Sequence, residues 1–194
     1  MENTTLSGNG AGRDGGAIYA TDGSSVYLYS ITMANNKARL AYPSSGAGAG
    51  AFIAATGAIS VTDSILANNT IYPLNASYSD CAGTLHSGGW NFIGSNGGCT
   101  ISGIAAGNQV GGVFPANLDP QIAPLEPITG LTPGHLPLAG SPVIDAGPFV
   151  GCLAHIGVLQ IDQIGHSRYL NPPCDIGAVE YFVLYRGYLP LMAK

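Results

Sequence analysis

The chain of 194 residues is 46% apolar and only 9% charged, with a formal net charge of −5. Phosphate binding needs clustered Lys and Arg, and the six here are scattered, which argues against nucleic acid as a partner. No apolar run approaches the roughly 18–20 residues of a membrane-spanning helix.

Strand pattern is already under way in Asn3-Thr4-Thr5-Leu6-Ser7-Gly8-Asn9, as expected of a mature form or of a fragment whose leader or earlier coils are missing. After the Gly/Ala stretch at 15–20, Val26-Tyr27-Leu28-Tyr29-Ser30-Ile31-Thr32-Met33-Ala34-Asn35-Asn36 alternates apolar and small polar residues. Alternation predicts a strand with one buried face. Residues 37–47 read as an insertion loop, with Tyr42-Pro43-Ser44-Ser45-Gly46 as breaker. Residues 48–54 and 59–69 then repeat the earlier unit at a period of about 33 residues. Val26, Leu28 and Met33 are thereby placed above Ile59, Val61 and Leu66, as stacked parallel coils require. Asn9, Asn36 and Asn69 fall in register at a corner, where Asn tolerates a left-handed backbone and its amide can form a ladder. An antiparallel sandwich with coincidental similarity is the competing arrangement.

Residues 70–90 read as a second excursion. Strand character resumes at Trp90-Asn91-Phe92-Ile93-Gly94 and again at Cys99-Thr100-Ile101-Ser102-Gly103-Ile104. Pro115, Pro120, Pro124, Pro127, Pro133 and Pro137 exclude regular helix and predict an extended segment across the open end of the coils. A compact acidic-tipped module follows at 141–180, and residues 181–191 are the most apolar stretch. The expected organisation is stacked coils over 1–112. A Pro-rich crossing segment, a disulfide-stapled cap and an apolar tail then occupy 113–194. No long capped stripe of helical period occurs, so helix should be minor.

Four cysteines allow three pairings. The sequential one, Cys81–Cys99 and Cys152–Cys174, closes loops in segments of weak strand pattern, where a staple stabilises most. A metal site would need CxxC-like spacing, which is absent. Disulfides imply an oxidising compartment. Asn3, Asn68 and Asn75 begin Asn-x-Ser/Thr triplets, which are common by chance.

Gly15-Gly16-Ala17-Ile18-Tyr19, Ser30-Ile31-Thr32-Met33-Ala34-Asn35-Asn36 and Asp63-Ser64-Ile65-Leu66-Ala67-Asn68-Asn69 resemble the coils of bacterial right-handed parallel β-helix surface proteins. Ser79-Asp80-Cys81-Ala82-Gly83-Thr84-Leu85, Gly89-Trp90-Asn91-Phe92-Ile93-Gly94 and Gly98-Cys99-Thr100 resemble the cysteine-stapled last coil of that family. Gly140-Ser141-Pro142-Val143-Ile144-Asp145-Ala146-Gly147, Asp162-Gln163-Ile164-Gly165 and Cys174-Asp175-Ile176-Gly177-Ala178-Val179-Glu180 are similar to the choice-of-anchor Q module. Ile164 stands where that module usually carries Arg. Tyr188-Leu189-Pro190-Leu191 resembles a short tail on exported proteins of some filamentous bacteria. The resemblance implies an exported, cell-surface or extracellular β-helix with a C-terminal cap, and no single activity.

Chemistry is sparse. A β-helix lyase needs a base beside calcium-holding acids, yet Lys37, Arg39, Arg13 and Arg168 are not paired by sequence with an acid cluster on a strand face. A hydrolase needs two facing carboxylates, yet Asp22 and Asp63 fall on different steps of the repeat. Asp145, Asp162, Asp175 and Glu180 are expected to cap turns through backbone N–H groups, with calcium the rival role. His86, His135, His155 and His166 lack ligand spacing and are expected in loops. Tyr27 and Tyr29 should point outward, either to contact a sugar or protein or to lie under the 37–47 loop.

The expected fold is all-β: a short right-handed parallel β-helix, or solenoid, with an irregular Pro-rich C-terminal cap. The expected function is that of an extracellular, non-catalytic structural or adhesive surface protein without cofactor or metal. Its partner would be itself or a cell-surface polysaccharide. Head-to-tail filaments would join the open coil at Asn3, Thr4, Thr5 and Leu6 to the strand-like Tyr181, Phe182, Val183, Leu184 and Tyr185. The alternative is a carbohydrate-binding or carbohydrate-cleaving β-helix.

Overall fold

The computed structural model describes residues 1–39, 41, 47–72, 76–113, 115–128, 132–168 and 173–183, and every regular element among them is a strand. In chain order these are β1 (Thr5–Ser7), β2 (Ile18–Ala20), β3 (Ser25–Tyr29), β4 (Thr32–Ala34), β5 (Lys37–Ala38), β6 (Ala51–Ile53), β7 (Ala58–Thr62) and β8 (Ile65–Ala67). There follow β9 (Thr70–Ile71), β10 (Ala76–Tyr78), β11 (Cys81–Gly88), β12 (Phe92–Ile93), β13 (Cys99–Ile104), β14 (Gln109–Val110), β15 (Glu126–Pro127) and β16 (Pro133–Gly134).

Pairing follows the repeat. The 33-residue step between Asn36 and Asn69 recurs where Ile18 faces Ala51, Ser25 faces Ala58, Thr32 faces Ile65 and Lys37 faces Thr70, all in parallel strands. β1 lies under β4, while β11 and β12 lie over β7 and β8. β13 and β14 follow on β11 and β12. Two parallel ladders result, β3-β7-β11-β13 and β1-β4-β8-β12-β14, with β2-β6-β11 beside the first.

Successive side chains on a strand point to opposite faces, so each ladder sends one set into a shared core. Val26, Ile59, Leu85 and Ile101 form one row, and Leu6, Met33, Leu66 and Ile93 another. The middle members of both rows are fully buried. Burial of each such side chain contributes about 2 kcal/mol, which is why like stacks over like.

Corners between strands are built from left-handed residues. Asn3, Ser30, Asp63 and Trp90 all have positive φ, from 46 to 52°, and each precedes a strand of the β1-β4-β8-β12 ladder. The next corner uses Asn35 (φ 59°) and Asn68 (φ 60°), the first member of each asparagine pair. The second members, Asn36 and Asn69, are fully buried and make the side-chain ladder.

The 70–90 segment is not an excursion. It contains β9, and β11 within it is the longest strand at eight residues. Its sequence, with Gly83 and Gly88, has little strand propensity. The free edges of β6 and β7 impose the conformation by pairing with it. Likewise the 37–47 segment opens with β5, which pairs with β9; residues 40 and 42–46 lie outside the described residues.

Described residues of the Pro-rich segment lie along the flank of the strand ladders, where Leu118 N–H donates to the Gly94 carbonyl. Its β15 and β16 pair antiparallel, and His135 beside them bonds Ser7 in the first coil at 2.8 Å. The following module touches every level: Gln163 bonds Thr5, Ala178 bonds Thr32, Gly177 bonds the Asp63 carbonyl, and Pro142 bonds Gln109. The reason lies in β4 and β8, whose residues are buried on both faces. Ile65, Ala67 and Phe92 point away from the first core and need cover, which Val143 and Ile176 supply. A sheet buried on both faces reads as a continuous apolar run such as Ile65-Leu66-Ala67.

Candidate functional site

Charged groups converge on the seam between coils and module. Arg168 sits there with 2% exposure. Its guanidinium pairs with Glu180, donates to Asn3 Oδ1 at 2.9 Å and donates to the Gly177 carbonyl at 2.7 Å. A buried charge costs several kcal/mol unless it is paired and hydrogen-bonded, so this set of acceptors clamps the module to the first coil. Ile164 lies in an apolar cluster with Ile128, Ala178 and Val179.

Two of the module's acids, Asp162 and Asp175, accept backbone N–H groups as expected of turn caps. Asp162 accepts from the backbone N–H of Ile164 (2.9 Å), His166 (2.7 Å) and Glu180 (3.0 Å). Asp175 accepts from Asp145 N–H at 2.7 Å and from Tyr181 N–H. Asp145 itself is exposed and holds a left-handed turn. Asp63 is fully buried at the seam, where Ser30 donates to its Oδ2 at 3.1 Å. Its Oδ1 has no partner, nor has Arg168 Nε. Burial raises its carboxyl to about 7 against the pull of Arg168. Cys174 Sγ lies 3.6 Å from Asp63, but the disulfides Cys81–Cys99 and Cys152–Cys174 occupy all four sulfurs. The pairing is the sequential one expected, and it removes the thiolates that a metal would need.

The open site is a cleft of about 340 Å³ lined by Met1, Glu2, Tyr27, Tyr29 and His155. β3 presents the two tyrosines, and the disulfide-held turn after Cys152 brings His155 over them. The imidazole centroid is 6.2 Å from Tyr27 and 5.9 Å from Tyr29. Glu2 anchors that turn by accepting the His155 backbone N–H. Tyr27 is 50% exposed. The tyrosines thus face outward as expected, and among the described residues the module supplies their aromatic neighbour, His155; residues 40 and 42–46 of the 37–47 segment lie outside the described residues.

No family model, curated protein or solved structure matches this chain.

Other sequence candidates are dispersed. Thr4 bonds the Glu2 carbonyl, Thr5 bonds Gln163, and Leu6 is half-buried against the core. Asn3 and Thr5 are therefore committed to the chain's own module. Tyr181 N–H is held by Asp175, while Phe182 packs edge-on to His166 at 3.9 Å. Val183 is exposed, and Leu184 and Tyr185 lie outside the described residues. Of the four histidines expected in loops, His86 lies on a strand, and His135, in an irregular stretch, is buried. His135 is buried between the Ala123 carbonyl and Ser7, and burial lowers its pKa. His86 stands on the outer face of β11, 2.8 Å from Ser102 on β13. Sequence reasoning missed His155, since nothing in its spacing ties it to β3.

Proposed function

We propose that the chain is a short right-handed parallel β-helix from an extracellular or cell-surface protein that acts by adhesive or structural contact, not catalysis. The observation that carries this is the outer face of β3-β7-β11-β13. Tyr27, Thr84, His86 and Thr100 stand exposed on it, and its outward positions carry no Asp, Glu, Lys or Arg. Beside it, Tyr19 and Phe52 stack at 5.0 Å with rings 9° apart, and Tyr19 is 49% exposed. Aromatic rings and hydroxyls without charge suit the faces of neutral sugars. Among the described residues, Asp162 and Asp175 are engaged by backbone N–H groups and Glu180 by Arg168, whereas a hydrolase uses a pair of carboxylates free to face its substrate. Two disulfides favour an oxidising compartment, and no helix among the described residues is long and apolar enough to cross a membrane. The resemblance to β-helix surface proteins with a choice-of-anchor Q module points the same way.

The test is co-sedimentation with a panel of insoluble neutral polysaccharides, with soluble products assayed in parallel. Retention without sugar release is expected, and Tyr27→Ala with Tyr29→Ala should weaken it about tenfold. Release of reducing ends or unsaturated sugars would replace this reading with a carbohydrate-cleaving one.

A further inference from the structure

We propose that the free edge of β13 pairs antiparallel with β13 of a second copy, making a two-fold dimer end to end. This goes beyond the contact reading and does not depend on it.

Among the described residues β13 pairs on one side only, with β11, through six residues in unbroken register. Its other edge offers backbone N–H and C=O groups to any strand. Natural edges are guarded by charge, proline or a bulge. None is present here: residues 96–113 contain no charged residue and no proline. Half-covered Cys99 and Ile101 belong to the main core cluster, so the core itself is left open at this level. Ile104 and Val110 are 54% and 39% exposed beside it. The described residues of the module pack on the flank of the other ladder.

A second copy is the occupant that this edge fits. A two-fold axis normal to the sheet keeps inner face over inner face. Centred on Ile101, it brings the two Ile101 side chains together and extends the row Val26, Ile59, Leu85, Ile101 across the junction. An uncharged surface meets itself without repulsion. Head-to-tail stacking fits less well, because the opposite end is stepped. β1 lies one level below β4, while β3 has no strand below it except the contact of residues 1–3 with Tyr29 and Tyr27. Setting β3 of one copy on β13 of another would drive β1 into the level that β14 already fills.

Sedimentation equilibrium of the full chain tests this. The parent should show twice the chain mass at rising concentration, and its amides over residues 100–104 should exchange more slowly as it associates. Thr100→Lys with Ile104→Lys places edge charges on exposed, outward side chains and should return the single-chain mass with an unchanged melt. Should that variant fail to fold, the concentration dependence of amide exchange in the parent decides alone. A parent that stays monomeric, a dimer that survives both lysines, open-ended assemblies, or dimerisation without protection of 100–104 would each overturn the proposal.

Discussion

The side-chain amide of Asn69 donates to Asp80 Oδ1 at 2.8 Å, and this contact terminates a ladder that runs the height of the coils. Asn9 donates to Asn36 at 2.9 Å, and Asn36 donates to Asn69 at 2.8 Å. The side-chain oxygens of Asn36 and Asn69 also accept the backbone N–H of Asn9 and Asn36 respectively. Asp80 then ends the series as an acceptor, taking Asn69 N–H at 2.9 Å and Ser95 N–H at 2.7 Å. An aspartate suits that place because its two carboxyl oxygens can accept several N–H groups at the end of the series.

Asn69→Ala should therefore cost more than an isolated hydrogen bond. It removes one side-chain partner each from the Asn36 amide, the carbonyls of Met33 and Ala67, and Asp80, and leaves the Asn36 backbone N–H without its acceptor. Each buried group left unpaired costs about 1–3 kcal/mol, so a loss of roughly 3 kcal/mol or more is expected from urea unfolding. A change within error would mean that the ladder is incidental to stability.

Gly177 is a point of close approach of the module to the flank. Its φ is +108°, and a Cβ there would meet Ile65 Cδ1 at 2.7 Å and Thr32 Oγ1 at 2.9 Å. Gly177→Ala should push the module outward at a cost of about 2 kcal/mol or more. Limited proteolysis should then cut within residues 141–183 before the coils. Equal protease resistance in the two proteins would show that the flank contact does not hold the module.

Stability should fall as pH rises through neutrality. Burial raises Asp63 to about 7, and burial also raises Asp80 to about 7 despite its N–H partners. An unfolded Asp titrates near 3.9, so the folded protein binds these protons more tightly than the unfolded one. Their stabilisation is complete below about pH 4 and is lost as pH climbs towards 7, at up to about 1.4 kcal/mol per pH unit for each site. Thermal melts across that window should drop with pH, and Asp63→Asn should flatten the slope. A slope unchanged by that substitution would assign the effect elsewhere.

What the sequence determined by itself was the stacking. Period-two alternation in residues 26–33 and 59–66, with a repeat between them, fixes which residues lie over which. Val26 over Ile59 and Met33 over Leu66 follow from that alone. Paired asparagines marked a corner for the same local reason. Local pattern says which face of a strand is apolar, but not what covers the other face. Only tertiary structure decided that the C-terminal module lies along the β4-β8-β12 flank, that Arg168 finds Glu180 and Asn3, and that His155 closes over Tyr27 and Tyr29. Each of those contacts joins residues whose separation carries no periodic signal. β11 shows the same limit from the other side: its own residues favour a strand weakly, and the unpaired edges waiting on β6 and β7 made it one.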